Sequence, residues 1–183
     1  FKKFPIPIQP SSELSPISNE VTLRYISMCA KYQQSIDPET INIFEKFQRT
    51  DRFSITFTSK CKSVNNYHII SNILIHEPFL RCVKFDFYSP QIVCKIIYSL
   101  LKHNKNIQII TIRNYNELNF EQLGFNKLTN PSVVSWNFSN LMLSDDRIPS
   151  FFDVFSHYQG DILRLTIEHF HFSYNYAKSI CKS

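Results

Sequence analysis

Glycine is almost missing from this chain: Gly124 and Gly160 are the only two among 183 residues. Neither a G-x-G-x-x-G nor a G-x-x-x-x-G-K-[ST] run exists, so loops that cradle phosphate on bare backbone are excluded. Cysteine is sparse and odd in number, with Cys29, Cys61, Cys82, Cys94 and Cys181 forming no C-x-x-C pair. Such a set predicts free thiols in a reducing compartment rather than a disulfide framework, and the expected location is cytoplasmic. No apolar run approaches the roughly 18 residues that a membrane-spanning helix requires. The lysines of Phe1-Lys2-Lys3-Phe4-Pro5 have no apolar stretch behind them, so a secretory signal is not expected there. The one glycosylation-type triplet, Asn137-Phe138-Ser139, falls inside a predicted strand.

What is present is a spacing. Val133-x-x-Trp136-x-Phe138 carries apolar residues at first, fourth and sixth place, and Ile162-x-x-Leu165-x-Ile167, Ile107-x-x-Ile110-x-Ile112, Leu80-x-x-Val83-x-Phe85 and Leu23-x-x-Ile26-x-Met28 repeat it. Arg52-x-x-Ile55-x-Phe57 lacks only the first apolar residue. The starts at 23, 52, 80, 107, 133 and 162 are separated by 29, 28, 27, 26 and 29 residues. Apolar content of 43% with 15% aromatics supplies a core, and near-constant spacing predicts repeated supersecondary units that bury their apolar faces against one another.

Residues 1–20 hold Pro5, Pro7, Pro10 and Pro16 without either periodicity and read as an extended Pro/Ser-rich lead-in. From residue 21 each predicted strand is followed by a helical pattern. Asp37-Pro38-Glu39 places a cap residue, a first-turn proline and an acid before Ile41, Ile43, Phe44 and Phe47. Tyr67, Ile70, Ile73 and Leu74 form the next stripe, stopped at His76-Glu77-Pro78. After Pro90, Ile92, Val93, Ile96, Ile97, Leu100 and Leu101 give the clearest amphipathic helix. A shorter return runs through Leu118, Phe120, Leu123 and Leu128, and Phe151, Phe152 and Phe155 follow Ile148-Pro149. Tyr174–Ser183 reads as the opening of a sixth helix, so further repeats or a cap are expected beyond it.

A strand, a helix and a second strand of the same direction need a crossover of about a dozen residues, which the spacing provides. The sheet is therefore predicted to be parallel. Side chains alternate along a strand, so the residue between the fourth and sixth places faces away from the core. Those residues are Ser27, Thr56, Lys84, Thr111, Asn137 and Thr166, every one polar.

With these residues in place, the chain over 21–183 resembles leucine-rich repeat proteins of the long-repeat, helix-containing subtype seen in ribonuclease inhibitor. Within that family, the period and the stretch Ser150–Phe172 are similar to repeats of the CARMIL family. The resemblance implies an α/β horseshoe of about six repeats, with a parallel concave β-sheet and convex helices. It also implies a segment of a longer chain. The ninth place, usually Asn or Cys in this family, holds Lys31, Lys60, Tyr88, Tyr115, Leu141 and Phe170.

The expected function is a protein-protein interaction scaffold, cytoskeletal or signalling, with no enzymatic activity and no cofactor. Its expected partner-binding residues on the concave face are Lys84, Asp86, Thr111, Arg113, Asn137, Arg164, Thr166 and Glu168. The alternative is a nucleic-acid-binding repeat module using the basic residues behind the net charge of +5. Those are scattered, with Asp86 and Glu168 among them, and a mixed surface suits a protein partner better. Glu168-His169-Phe170-His171 is the densest titratable group, but no third ligand stands at matching spacing. Register places Cys29 and Cys82 on the concave side two repeats apart, too distant for a bridge. Trp136, at a fourth place, is expected in the core.

Overall fold

The computed structural model describes residues 20–50, 52–61, 66–86, 88–116, 130, 132–143, 147–156 and 162–169. Two helices come first, α1 (Glu20–Lys31) and α2 (Pro38–Arg49). Strands and helices then alternate: β1 (Ser54–Thr58), α3 (Tyr67–Ile75), β2 (Cys82–Asp86), α4 (Pro90–His103) and β3 (Ile109–Asn116). After them come β4 (Ser135–Met142), α5 (Arg147–Ser156) and β5 (Arg164–Glu168). The five strands form one sheet in chain order, and each pairs parallel with the next.

The sheet register follows the repeated spacing. Ile55, Val83, Ile110, Trp136 and Leu165 are lateral partners from β1 to β5, and Phe57, Phe85, Ile112, Phe138 and Ile167 form the column two residues on. In the first four strands both columns are buried, in one cluster with Ile69, Ile73, Ile96, Leu100 and Phe151 of the helices. Leu165, on an edge strand of the described sheet, stays 39% exposed. The strand starts repeat as well. The Phe53 carbonyl accepts the N–H groups of Arg81 and Cys82, that of Arg81 accepts those of Gln108 and Ile109, that of Gln108 accepts those of Val134 and Ser135, and that of Val134 accepts those of Leu163 and Arg164.

The first expected strand is not a strand. Residues 23–28 lie inside α1, where Val21, Tyr25 and Cys29 recur every four residues and are buried while Leu23 is 58% exposed. A stripe at that interval occupies one face of a helix, and it outweighs the shorter Leu23/Ile26/Met28 pattern. Among the described residues the expected six-strand sheet is thus five strands with a helical pair beside β1. α1 contacts α2 and α3, and α2 contacts β1. Tyr25 meets Phe44 edge-on at 5.5 Å between ring centroids, and the buried Thr22 hydroxyl donates to Gln48 Oε1 at 3.0 Å.

Helices α2 and α4 open at the prolines the sequence points to, and α3 stops at His76. Asp37 and Ser89 precede Pro38 and Pro90 as cap residues. The Asp37 carboxylate, however, accepts the Thr40 hydroxyl at 2.7 Å instead of capping the backbone. The return through Leu118, Phe120, Leu123 and Leu128, the lead-in over 1–19 and the stretch after His169 lie outside the described residues. At the ninth template place Lys31 and Lys60 are exposed, and the next three residues at that place turn inward. Tyr88, Tyr115 and Leu141 are buried, and Tyr88 stacks near Phe57 and Phe85.

Candidate functional site

Alternation along each strand sends every second side chain away from the helices. Three rows result on the open side of the sheet. Ser54, Cys82, Ile109, Ser135 and Arg164 form the first. Thr56, Lys84, Thr111, Asn137 and Thr166 form the second, and Thr58, Asp86, Arg113, Ser139 and Glu168 the third. All eight residues singled out in the sequence stand in these rows.

They are unequally available. Arg113, Arg164 and Glu168 are exposed, and Lys84, Asp86, Asn137 and Thr166 are half-buried. Thr111 is the exception: it is 3% exposed and its hydroxyl accepts the Asn137 side-chain amide at 3.4 Å. It lies under its neighbours on the central strand, so it positions Asn137 and offers little surface of its own. Over β3–β5, Arg113, Asn137, Ser139, Arg164, Thr166 and Glu168 line a depression of about 440 Å³.

At the far end of the strands, the place after Arg113, Ser139 and Glu168 carries Asn114 (φ 59), Asn140 (φ 53) and His169 (φ 54) in the left-handed region. Asn and His are among the side chains most tolerant of that conformation. The Asn114 amide donates to the Asp86 carboxylate, and the Asn140 amide donates to Asn114 Oδ1 at 2.8 Å. Residue type at the eighth template place was the available sequence signal for this row. Asp86 and Arg113 are lateral partners, yet the carboxylate is held by Asn114. Among the described residues, neither Arg113 nor Lys84 nor Arg164 takes part in an ion pair.

Burial pushes the Cys61 and Cys94 thiols up to about 11 and also raises Cys29, which keeps them protonated near neutrality. Cys29, expected on the open face, is fully buried within α1. Cys82 does lie in the first row, but only 9% exposed. No group of three His, Cys, Asp or Glu side chains among the described residues is placed to hold a metal ion. His169 is exposed at the end of β5, and His171 lies outside the described residues. Trp136 is completely buried and stacks 6.1 Å from Phe138.

A depression of about 570 Å³ on the helical side is lined by Tyr67, Gln91, Cys94, Lys95, Tyr98 and Ser99. It is larger than the one over β3–β5, but its cation is engaged, with Lys95 Nζ 4.7 Å from the Tyr67 ring centroid. No described helix is long and apolar enough to cross a membrane. Comparison with protein-family models, with curated proteins and with solved structures finds no match to the chain.

Proposed function

We propose that the chain is a leucine-rich repeat solenoid that serves as a protein interaction scaffold without catalytic activity of its own, and that the open face of the sheet is its binding surface. The observation that carries this reading is the division of the sheet. One face is sealed by helices through two aligned apolar columns, while the other presents two full rows of charged and hydrogen-bonding side chains at the strand pitch. Sheets of stacked repeats offer extended surfaces by construction, because each unit adds one strand to the same face. The raised thiol pKa values and the scattered titratable groups favour binding over chemistry.

A photoreactive side chain replacing Asn137 on the open face should cross-link a discrete protein partner in cell extract. The same group replacing Tyr98, on the helical side, should not. Adducts formed through position 98 alone would reject the assignment of the face.

A further inference from the structure

We propose that the segment bound on the open face is acidic: a short extended stretch of a partner protein that sets Asp or Glu carboxylates against Lys84, Arg113 and Arg164. This rests on the assignment of that face as the binding surface and adds the chemistry of the ligand. Three cations stand on the face, and none is in an ion pair among the described residues. Two anions stand with them, and Asp86 already accepts the Asn114 amide, which is itself fixed by Asn140. That row draws Asp86 away from its lateral partner Arg113 and leaves the guanidinium to a ligand.

The spacing fits a peptide. From β2, which carries Lys84, to β5, which carries Arg164, three inter-strand steps of about 4.8 Å span roughly 14 Å. An extended chain covers that distance in about five residues. Between the cations, Asn137, Ser139 and Thr166 supply neutral hydrogen-bonding groups. Arg presents a planar fork of donors matched to a carboxylate, so Arg113 and Arg164 set orientation as well as charge. Glu168, exposed at the β5 end, disfavours a further acid there and gives the segment a direction.

The same cations would attract a nucleic acid, but the three rows contain no aromatic side chain on which a base could stack. Asp86 and Glu168 would moreover lie against an unbroken line of phosphates.

The test is selection of a random peptide library on the full chain, followed by titration of a fluorescent copy of the most enriched peptide. Enriched sequences should carry at least two acidic residues within about five positions. Arg113→Glu and Arg164→Glu should each weaken the titrated peptide about tenfold or more. Arg164→Gln, a milder change at an exposed site, should weaken it less. Asn137→Trp should block it. The triple variant Lys84→Glu, Arg113→Glu, Arg164→Glu should select Lys- and Arg-rich peptides instead. Peptides blocked by Asn137→Trp but not enriched in acids would overturn this inference and leave the face assignment standing. Peptides indifferent to Asn137→Trp, or no enrichment at all, would overturn both. Binding of an oligouridylate to the same face, weakening steeply with salt, would replace the peptide by RNA.

Discussion

The Asn130 side-chain amide donates to the backbone carbonyl of Asn104 across 2.7 Å, and both residues are buried. Asn104 does the same for the unit before it, donating to the Leu74 carbonyl at 2.8 Å, while its own Oδ1 accepts the N–H groups of Asn106 and Ile107. Each asparagine thus satisfies the end of the previous helix and the turn into its own strand, groups that a helix terminus otherwise leaves open. Replacing Asn104 by Ala should cost about 2–3 kcal/mol, since three backbone groups lose a partner in the interior. Urea unfolding would measure this, with the exposed Asn106 changed to Ala as the control expected to differ little.

Glu77 holds the equivalent place, three residues before Leu80 as Asn104 is before Ile107, and it is 4% exposed. Burial raises its pKa, with the Phe79 backbone hydrogen bond and the charges of Arg52 and Arg24 opposing. A carboxyl raised on folding keeps its proton longer in the folded state. Stability is therefore greatest below the ordinary carboxylate range and falls as pH rises through the folded value. Glu77→Gln should raise the urea midpoint at neutral pH, and the gain should vanish in acid. An unchanged or lowered midpoint at neutral pH would count against this account.

Gln33 ends α1 with φ 54. The N–H of Gln34 reaches the Cys29 carbonyl at 2.8 Å and that of Gln33 reaches the Ala30 carbonyl at 3.2 Å. This is the paired closure that glycine usually provides at a helix end. Because Gln33 is exposed and carries a Cβ in an unfavourable region, Gln33→Gly should stabilise the chain by about 0.5–1 kcal/mol. Thermal unfolding compared with Gln33→Ala separates the backbone effect from loss of the side chain.

Cys61 and Cys94 titrate near 11 in the folded chain against an ordinary value of 9.0. Between those limits the unfolded chain gives up protons that the folded chain retains. The stabilisation these thiols confer is thus complete below about pH 9 and declines through pH 11. The unfolding free energy should fall across that window, and the decline should shrink in a Cys61→Ala, Cys94→Ala variant. At pH just below the window, a thiol reagent should label both sites rapidly in urea and slowly without it.

Much of this architecture could be read in advance. The columns from Ile55 to Leu165 and from Phe57 to Ile167 were visible because a strand's period of two and the spacing of 26 to 29 residues are written locally. The open-face rows followed from them by alternation alone. At 20–31 the strand pattern gives way to a helix because Leu23, Ile26 and Met28 match the strand spacing while Val21, Tyr25 and Cys29 match a helix. A short apolar segment satisfies both periods. What resolved it was packing, for a helical pair beside β1 contacts both the sheet edge and α3.

The sequence by itself determined which residues share a face and which strands are neighbours, because both depend on repeat distance and side-chain alternation. Only the tertiary structure decided that Thr111 lies beneath Asn137, that Asn104 and Asn130 brace successive helices, and that Asp86 answers to Asn114 and leaves Arg113 open. These are contacts of side chains with side chains or backbone carbonyls about 26 to 30 residues away. Their partners are chosen by distance and burial in the folded molecule, which no local pattern encodes.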